Sequence, residues 1–235
     1  MQNLIVSVFG RKGCGKTTLV KEIVDDSPRV IVFDTLGEYA RKKDKIFDTF
    51  ESAAVELGRV QHERRFRVII QLVEEEDALA AMRVAYGVPK SLIVVEETSF
   101  YCSPSYLPPE LAKFVRYGRH REISQVYVSR RPAEIHRDLT AQSDIIVSFQ
   151  QREPADVDYL KKTMGPVAER LPHLKKYEII ATGEVRDAPL PILERLAKQE
   201  SRESVSKKRH AHLRYEPDLT GQKNIVDVDS GDDLG

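Results

Sequence analysis

The chain has 235 residues, enough to bury a sizeable core as one domain or one domain with an appendage. Its 37 basic and 37 acidic side chains cancel, which argues against a bulk-basic nucleic-acid coat protein but leaves room for a local basic stripe. No apolar stretch approaches a bilayer-spanning length, the N-terminus lacks a signal-peptide pattern, and Cys14 and Cys102 suggest neither a disulfide framework nor a zinc site; a reducing, cytoplasmic setting is expected.

The first apolar run, Leu4–Phe9, predicts a strand. It leads directly into Gly10-Arg11-Lys12-Gly13-Cys14-Gly15-Lys16-Thr17, a complete match to the pattern G-x-x-x-x-G-K-[ST], and then into a helix over about 17–25. That strand–loop–helix order is the context in which the pattern binds phosphate. The glycines let backbone N–H groups turn toward the phosphates, and the helix start adds orphan N–H groups and a positive dipole end. Residues 10–18, from Gly10 to Thr18, are therefore the expected nucleotide contacts. Lys16 is placed for the β- and γ-phosphates and the Thr17 hydroxyl for Mg²⁺.

A second strand, Arg29–Phe33, ends at Asp34 in Phe33-Asp34-Thr35-Leu36-Gly37-Glu38-Tyr39. Asp34 fits two roles from this stretch alone: orienting a metal or its waters, or forming a turn. Helices are expected at about 49–58 and 75–86, with a strand at Phe66–Gln71 between them. Ser91–Val95 is then a buried strand that ends in two carboxylates, Glu96-Glu97. Unpaired buried carboxylates are costly, so a cation beside a triphosphate is the natural partner. Glu96 is assigned to the Mg²⁺ shell and Glu97 to polarising the attacking water. The competing reading is that both acids cap the next loop or helix.

After a helix at about 108–119 comes Gly118-Arg119-His120-Arg121, a strand at Ile123–Ser129, and Arg130-Arg131-Pro132. Arginine suits bidentate contacts with phosphate, and an arginine finger raises turnover by roughly 10³–10⁵. A solvated basic loop is the alternative for any one of these residues. A strand at Ile145–Phe149 and a helix at 154–164 follow. Residues 177–190 look like a terminal hairpin with a Thr-Gly turn. Residues 1–195 are read as one ATPase domain and 196–235 as a flexible or subunit-bridging tail, basic at 201–214 and acidic near the end. Short apolar runs alternating with helical stretches give an α/β fold with helices on both faces of a mostly parallel sheet.

Over roughly residues 1–185 these segments resemble the HerA–FtsK branch of P-loop ATPases. Phe33–Tyr39 resembles the "D-x-x-G-E-Y" element of HerA-like proteins. Gly118-Arg119 through Ser129-Arg130-Arg131-Pro132 resembles the "G-R…I…[ST]-Q-R-P" segment, and Gln142–Phe149 followed by Asp156 resembles the next strand and its acid. The resemblance implies a three-layer, RecA/ASCE-like fold, ATP and Mg²⁺ as cofactors, and a penta- or hexameric ring acting on double-stranded DNA. It also places Glu96 where the branch usually has aspartate, and Arg130 at the sensor glutamine. Arg119 and Arg121 become the preferred finger candidates, on a loop facing the adjacent subunit.

Size separates the members of this branch. A bare core of this length resembles the genome-packaging ATPases of membrane-containing icosahedral viruses. The expectation is a motor pumping duplex DNA into a procapsid, with a capsid vertex or portal protein as a candidate partner, in the host cytoplasm or at the packaging vertex. Lys161, Lys162, Lys175 and Lys176 are weak candidates for DNA phosphates, since a solvated helix face accounts for them better. Alternatives are a Zot-type assembly or secretion ATPase, a small-molecule kinase, and a nucleotide-binding subunit without turnover.

Overall fold

A computed structural model describes residues 3–183, together with the backbone of 213–217 and 223–227. The expected tail at 196–235 lies outside the described residues except for those two strands, which pair antiparallel with each other. Among the described residues the main sheet has eight strands: β1 (Ile5–Phe9), β2 (Arg29–Phe33), β3 (Ile46–Phe47), β4 (Phe66–Ile70), β5 (Leu92–Val95), β6 (Ser124–Ser129), β7 (Ile145–Ser148) and β8 (Ile180–Gly183). Their spatial order is β3-β4-β2-β5-β6-β1-β7-β8. Every neighbouring pair is parallel except β7 with β8. β6 is thus inserted between the strand that feeds the phosphate loop and the strand that carries Glu96.

The central strands read as unbroken apolar runs because both faces are covered. Ile93 and Val95 point into one core, Leu92 and Val94 into the other. The first core lies under α2 (Phe50–Val60), α3 (Glu75–Ala85), α4 (Pro109–Tyr117), α5 (Arg137–Ala141) and α6 (Pro154–Met164). The second lies under α1 (Lys16–Asp26), which buries Leu19, Val20, Ile23 and Val24 against β-branched side chains of β1, β2 and β6.

The helix ends follow ordinary rules. Thr49 caps α2, and Pro109 and Pro154 open α4 and α6, where a missing N–H costs nothing. Each of α2 to α6 carries an acid in its first turn, matched to the helix dipole. α1 has none, and its N-cap, Gly15, offers no side-chain cap. The orphan N–H groups of α1 are therefore left for a ligand.

The predicted hairpin at 177–190 is corrected in part. Ile180–Gly183 forms an edge strand on β7, with Thr182 opposite Ile146 and Gly183 opposite Ile145. Thr182 and Gly183 therefore sit inside a ladder rather than in a turn. The proposed second arm lies outside the described residues. Among the short elements not expected are β3, α5, and a 3₁₀ run over Gly165–His173 that packs on α6.

Candidate active site

The parallel strands deliver their C-terminal ends to one edge, where ligands of open α/β sheets bind. In register, Phe9 lies beside Ser129, Tyr127 beside Val95, and Val95 beside Phe33. The next residue along each chain is Gly10, Arg130, Glu96 or Asp34. The phosphate loop, the tandem carboxylates, the Arg-Arg-Pro segment and the acid after β2 thus meet at one sheet edge.

The loop closes around its own lysine. The Lys16 ammonium, nearly buried, donates to the carbonyls of Gly10 at 2.8 Å and Arg11 at 3.4 Å. Gly15 adopts φ 116°, where a side chain would be strained, and a Cβ there would come within 2.9 Å of the Tyr177 ring. Arg11, Lys12, Gly13 and Thr18 are exposed at the loop surface. Cys14 turns its thiol inward, and burial pushes that thiol up from its ordinary pKa.

Glu96 is 2% exposed and accepts a hydrogen bond from the Tyr39 hydroxyl at 2.6 Å. Burial pushes its pKa up to about 7; Tyr39 and Lys16 pull it down, while Glu97 and Glu38 push it up further. Asp34 accepts the backbone N–H groups of Glu38 at 2.9 Å and Tyr39 at 2.8 Å. The turn-forming role of Asp34 is therefore the one seen, and through it Asp34 aims its two neighbours. Tyr39 reaches Glu96, and the Glu38 carboxylate accepts the Thr17 hydroxyl at 2.5 Å. Sequence reasoning assigned neither Glu38 nor Tyr39 a role.

Glu97 sits at φ 47°, a left-handed conformation uncommon for a non-glycine residue and characteristic of strained functional positions. Its carboxylate takes the Arg130 guanidinium at 2.9 Å and the Ser99 hydroxyl at 3.1 Å. Arg131 turns the other way, to the fully buried Asp156, with Nε 3.0 Å from Oδ2. Asp156 also accepts the Ala133 N–H at 3.2 Å, so it pins the chain just past Arg131. Arg11, Lys12, Arg130, Arg131 and Arg152 converge on a depression of about 320 Å³ on this flank of the loop.

Arg119 and Arg121 are not part of this cluster. They lie on a 3₁₀ turn before β6, at the opposite edge of the sheet, a six-residue strand or roughly 20 Å away. Gly118 shapes that turn: a Cβ on it would lie 2.5 Å from the buried Gln125 amide, which donates to the Phe114 carbonyl. Arg121 is held within its own chain, donating to the Gly87 carbonyl at 2.9 Å and lying over the Tyr86 ring. Arg119 is exposed, and its side chain lines a cavity of about 380 Å³ with Asn3, Gln125 and Asp144. Of the lysines suggested for DNA, Lys161 pairs with Glu169, and Lys176 lines the cavity beside the phosphate loop.

The oxygen donors at the loop suit a hard divalent cation. The Glu96 carboxyl is raised chiefly by burial and further by Glu97 and Glu38, so a cation there would relieve the cost of its charged form. Among the described residues no three His, Cys, Asp or Glu side chains form a metal-binding group. A Mg²⁺ held by Thr17 and Glu96 would therefore complete its shell with phosphate oxygens and water. No helix among the described residues is long and apolar enough to cross a membrane.

This arrangement is the P-loop NTPase fold. No protein-family model and no curated protein matches the chain. Solved structures do. The genome-packaging NTPase B204 from Sulfolobus turreted icosahedral virus 2, in complex with ATP-gammaS, is 17% identical with a TM-score of 0.62, covering 77% of this chain and 92% of that one. The DNA-packaging ATPase B204 from Sulfolobus turreted icosahedral virus is 19% identical with a TM-score of 0.58, covering 77% and 93%. VirB4 of Thermoanaerobacter pseudethanolicus is 12% identical with a TM-score of 0.52, covering 80% and 90%. The chain shares the fold of these three proteins over nearly their whole length.

Proposed function

We propose that the protein is a Mg²⁺-dependent ATPase that assembles as a ring and translocates double-stranded DNA, with viral genome packaging as its setting. The observation that carries the nucleotide-binding part of this reading is the helix that follows the phosphate loop. Among the described α-helices, only α1 has neither an acid in its first turn nor a side-chain cap, and it starts at Lys16. A triphosphate supplies the missing negative charge.

The chain's own residues then divide the work. Lys16, released from the Gly10 carbonyl, neutralises the β- and γ-phosphates. Bound Mg²⁺ would screen charge developing on the phosphoryl oxygens. Glu97 accepts a proton from the attacking water. Arg130 lies next to that carboxylate and stabilises charge growing on the γ-phosphate. Arg131 holds the segment in place through Asp156.

The ring reading is supported by the position of Arg119. It is exposed at the edge away from its own phosphate loop, where it is out of reach of its own γ-phosphate and open to an adjacent subunit. Arg121, bound to Gly87, is the poorer finger. The positive flank of Arg11, Lys12 and Arg152 supports contact with duplex phosphates, which would be nonspecific and strongly salt-dependent. The kinase alternative gives Arg130–Pro132 no task. The test of the hydrolytic core is Glu97→Gln, which should keep ATP binding and lose turnover by roughly 10²–10⁴-fold. Unchanged turnover in that variant would remove Glu97 as the base.

A further inference from the structure

A cavity of about 580 Å³ extends from the phosphate loop along the start of α1. Its lining includes Lys16, Thr17 and Glu38, where the phosphates and their cation would lie, together with Lys176 and Tyr177 from the turn that precedes β8. Neither role proposed above uses this last pair.

We propose that Tyr177 is the platform on which the base of the bound nucleoside phosphate stacks, with Lys176 fixing the ring and adding positive charge. The inference rests on the nucleotide reading of the same site and extends it to the base. Tyr177 is 64% exposed. Its ring reaches to within 2.9 Å of the position a Cβ on Gly15 would occupy, so it lies against the loop backbone at the head of α1. The Lys176 ammonium stands 4.8 Å from the ring centroid. A cation at that distance is attracted to the ring face and holds the ring in place.

The backbone presents this ring at a cost. Tyr177 sits at φ 71°, in the left-handed region that side chains avoid. The surrounding turn holds it there. Lys175 donates its N–H to the Glu178 carboxylate at 2.8 Å, Glu178 donates to the Lys175 carbonyl at 3.1 Å, and Gln150 donates to the Leu174 carbonyl at 2.7 Å. Gln150 follows β7, so the turn is tied to the strand next to the phosphate loop.

Beyond the loop the described lining includes Thr18, Lys21, Lys176 and the Tyr177 ring. Among the described residues no side-chain amide lines the cavity, and its one carboxylate, Glu38, accepts the Thr17 hydroxyl. Stacking tolerates any base, so ADP and GDP should bind within a few-fold of each other.

The experiment compares the full chain's affinity, with Mg²⁺, for ADP and for inorganic tripolyphosphate, which has no base. Tyr177→Ala should weaken ADP by roughly five- to a hundredfold, leave tripolyphosphate unchanged, and Tyr177→Phe should restore ADP binding. Equal loss on both ligands, or no loss on ADP, would overturn the stacking role while leaving the phosphate site intact. A wild-type chain that binds neither ligand would instead overturn the nucleotide reading itself, and this proposal with it. The sequence contains no tryptophan, so Tyr177→Trp adds a single reporter. ADP should quench its emission and tripolyphosphate should not; emission unaltered by saturating ADP counts against stacking.

Discussion

Arg130 and Glu97 form an ion pair, Nε to Oε2 at 2.9 Å, that joins the end of β6 to the end of β5 across the sheet edge. In the mechanism proposed above, Glu97 activates water and Arg130 meets the γ-phosphate, so a γ-phosphate would compete with the Glu97 carboxylate for the guanidinium. Arg130→Ala should therefore weaken ATP more than ADP and lower kcat by roughly 10²-fold or more. Equal affinities for ATP and ADP in both proteins would place Arg130 away from the γ-phosphate.

Glu96 brings a proton into the site. With its pKa near 7 in the folded chain and 4.5 as the ordinary value, the folded state binds more protons than the unfolded state between those limits. Stability of the nucleotide-free, metal-free protein should therefore fall as pH rises from about 4.5 to about 7 and level off above. The total from this group is about 3 kcal/mol. Glu96→Gln should flatten that slope in denaturation series. Because Mg²⁺ must displace the same proton, its apparent affinity should drop about tenfold for each pH unit below about 7.

Tyr39 sets where that proton titrates. Its hydroxyl bonds Glu96 at 2.6 Å and lowers the carboxyl pKa against the effect of burial. Tyr39→Phe should shift the midpoint for Mg²⁺ binding to higher pH and cost about 1–2 kcal/mol at neutral pH, read by chemical denaturation. An unmoved midpoint would mean that the two side chains do not communicate.

Gly118 should not tolerate a side chain. A Cβ would lie 2.5 Å from the buried Gln125 amide nitrogen, and overpacking of this kind costs about 1–3 kcal/mol. Gly118→Ala should lower the unfolding midpoint accordingly and displace the turn that carries Arg119.

Much of the fold was legible because the parallel strands are buried on both faces and so appear as plain apolar runs. Helix starts were legible where Pro marks them, as at Pro109 and Pro154. The phosphate loop was legible because its chemistry is local: its lysine bonds carbonyls five and six residues away. The rest of the site depends on register. Tyr39 meets Glu96 only because β2 and β5 pair with Phe33 beside Val95, which brings together residues 57 apart in sequence. Asp34 could not be settled from the chain for the same reason, since its partners, Glu38 and Tyr39, are defined by the turn it makes. Thr182-Gly183 misled because a turn dipeptide can equally end an edge strand. For Arg119 and Arg121 the pattern disclosed a cluster but not that β6 carries it to the far edge.

The finger assignment has a direct check. Mixing Arg119→Ala subunits with Lys16→Ala subunits should restore part of the ATPase activity that each lacks alone, because one intact composite site can form between them. Arg121→Ala, whose guanidinium is already bound to Gly87, should retain more activity than Arg119→Ala. No restoration in the Arg119 mixture would place the finger elsewhere.

The central claim is that this P-loop core is a DNA-driven ring motor. It is tested most directly by the ATPase rate with and without duplex DNA, measured on a sample whose mass in solution is determined at the same concentration. The account predicts a multi-subunit particle whose hydrolysis is stimulated by DNA, with the stimulation lost at high salt. A protein that stays monomeric at every concentration and hydrolyses ATP at the same rate with or without DNA would contradict it.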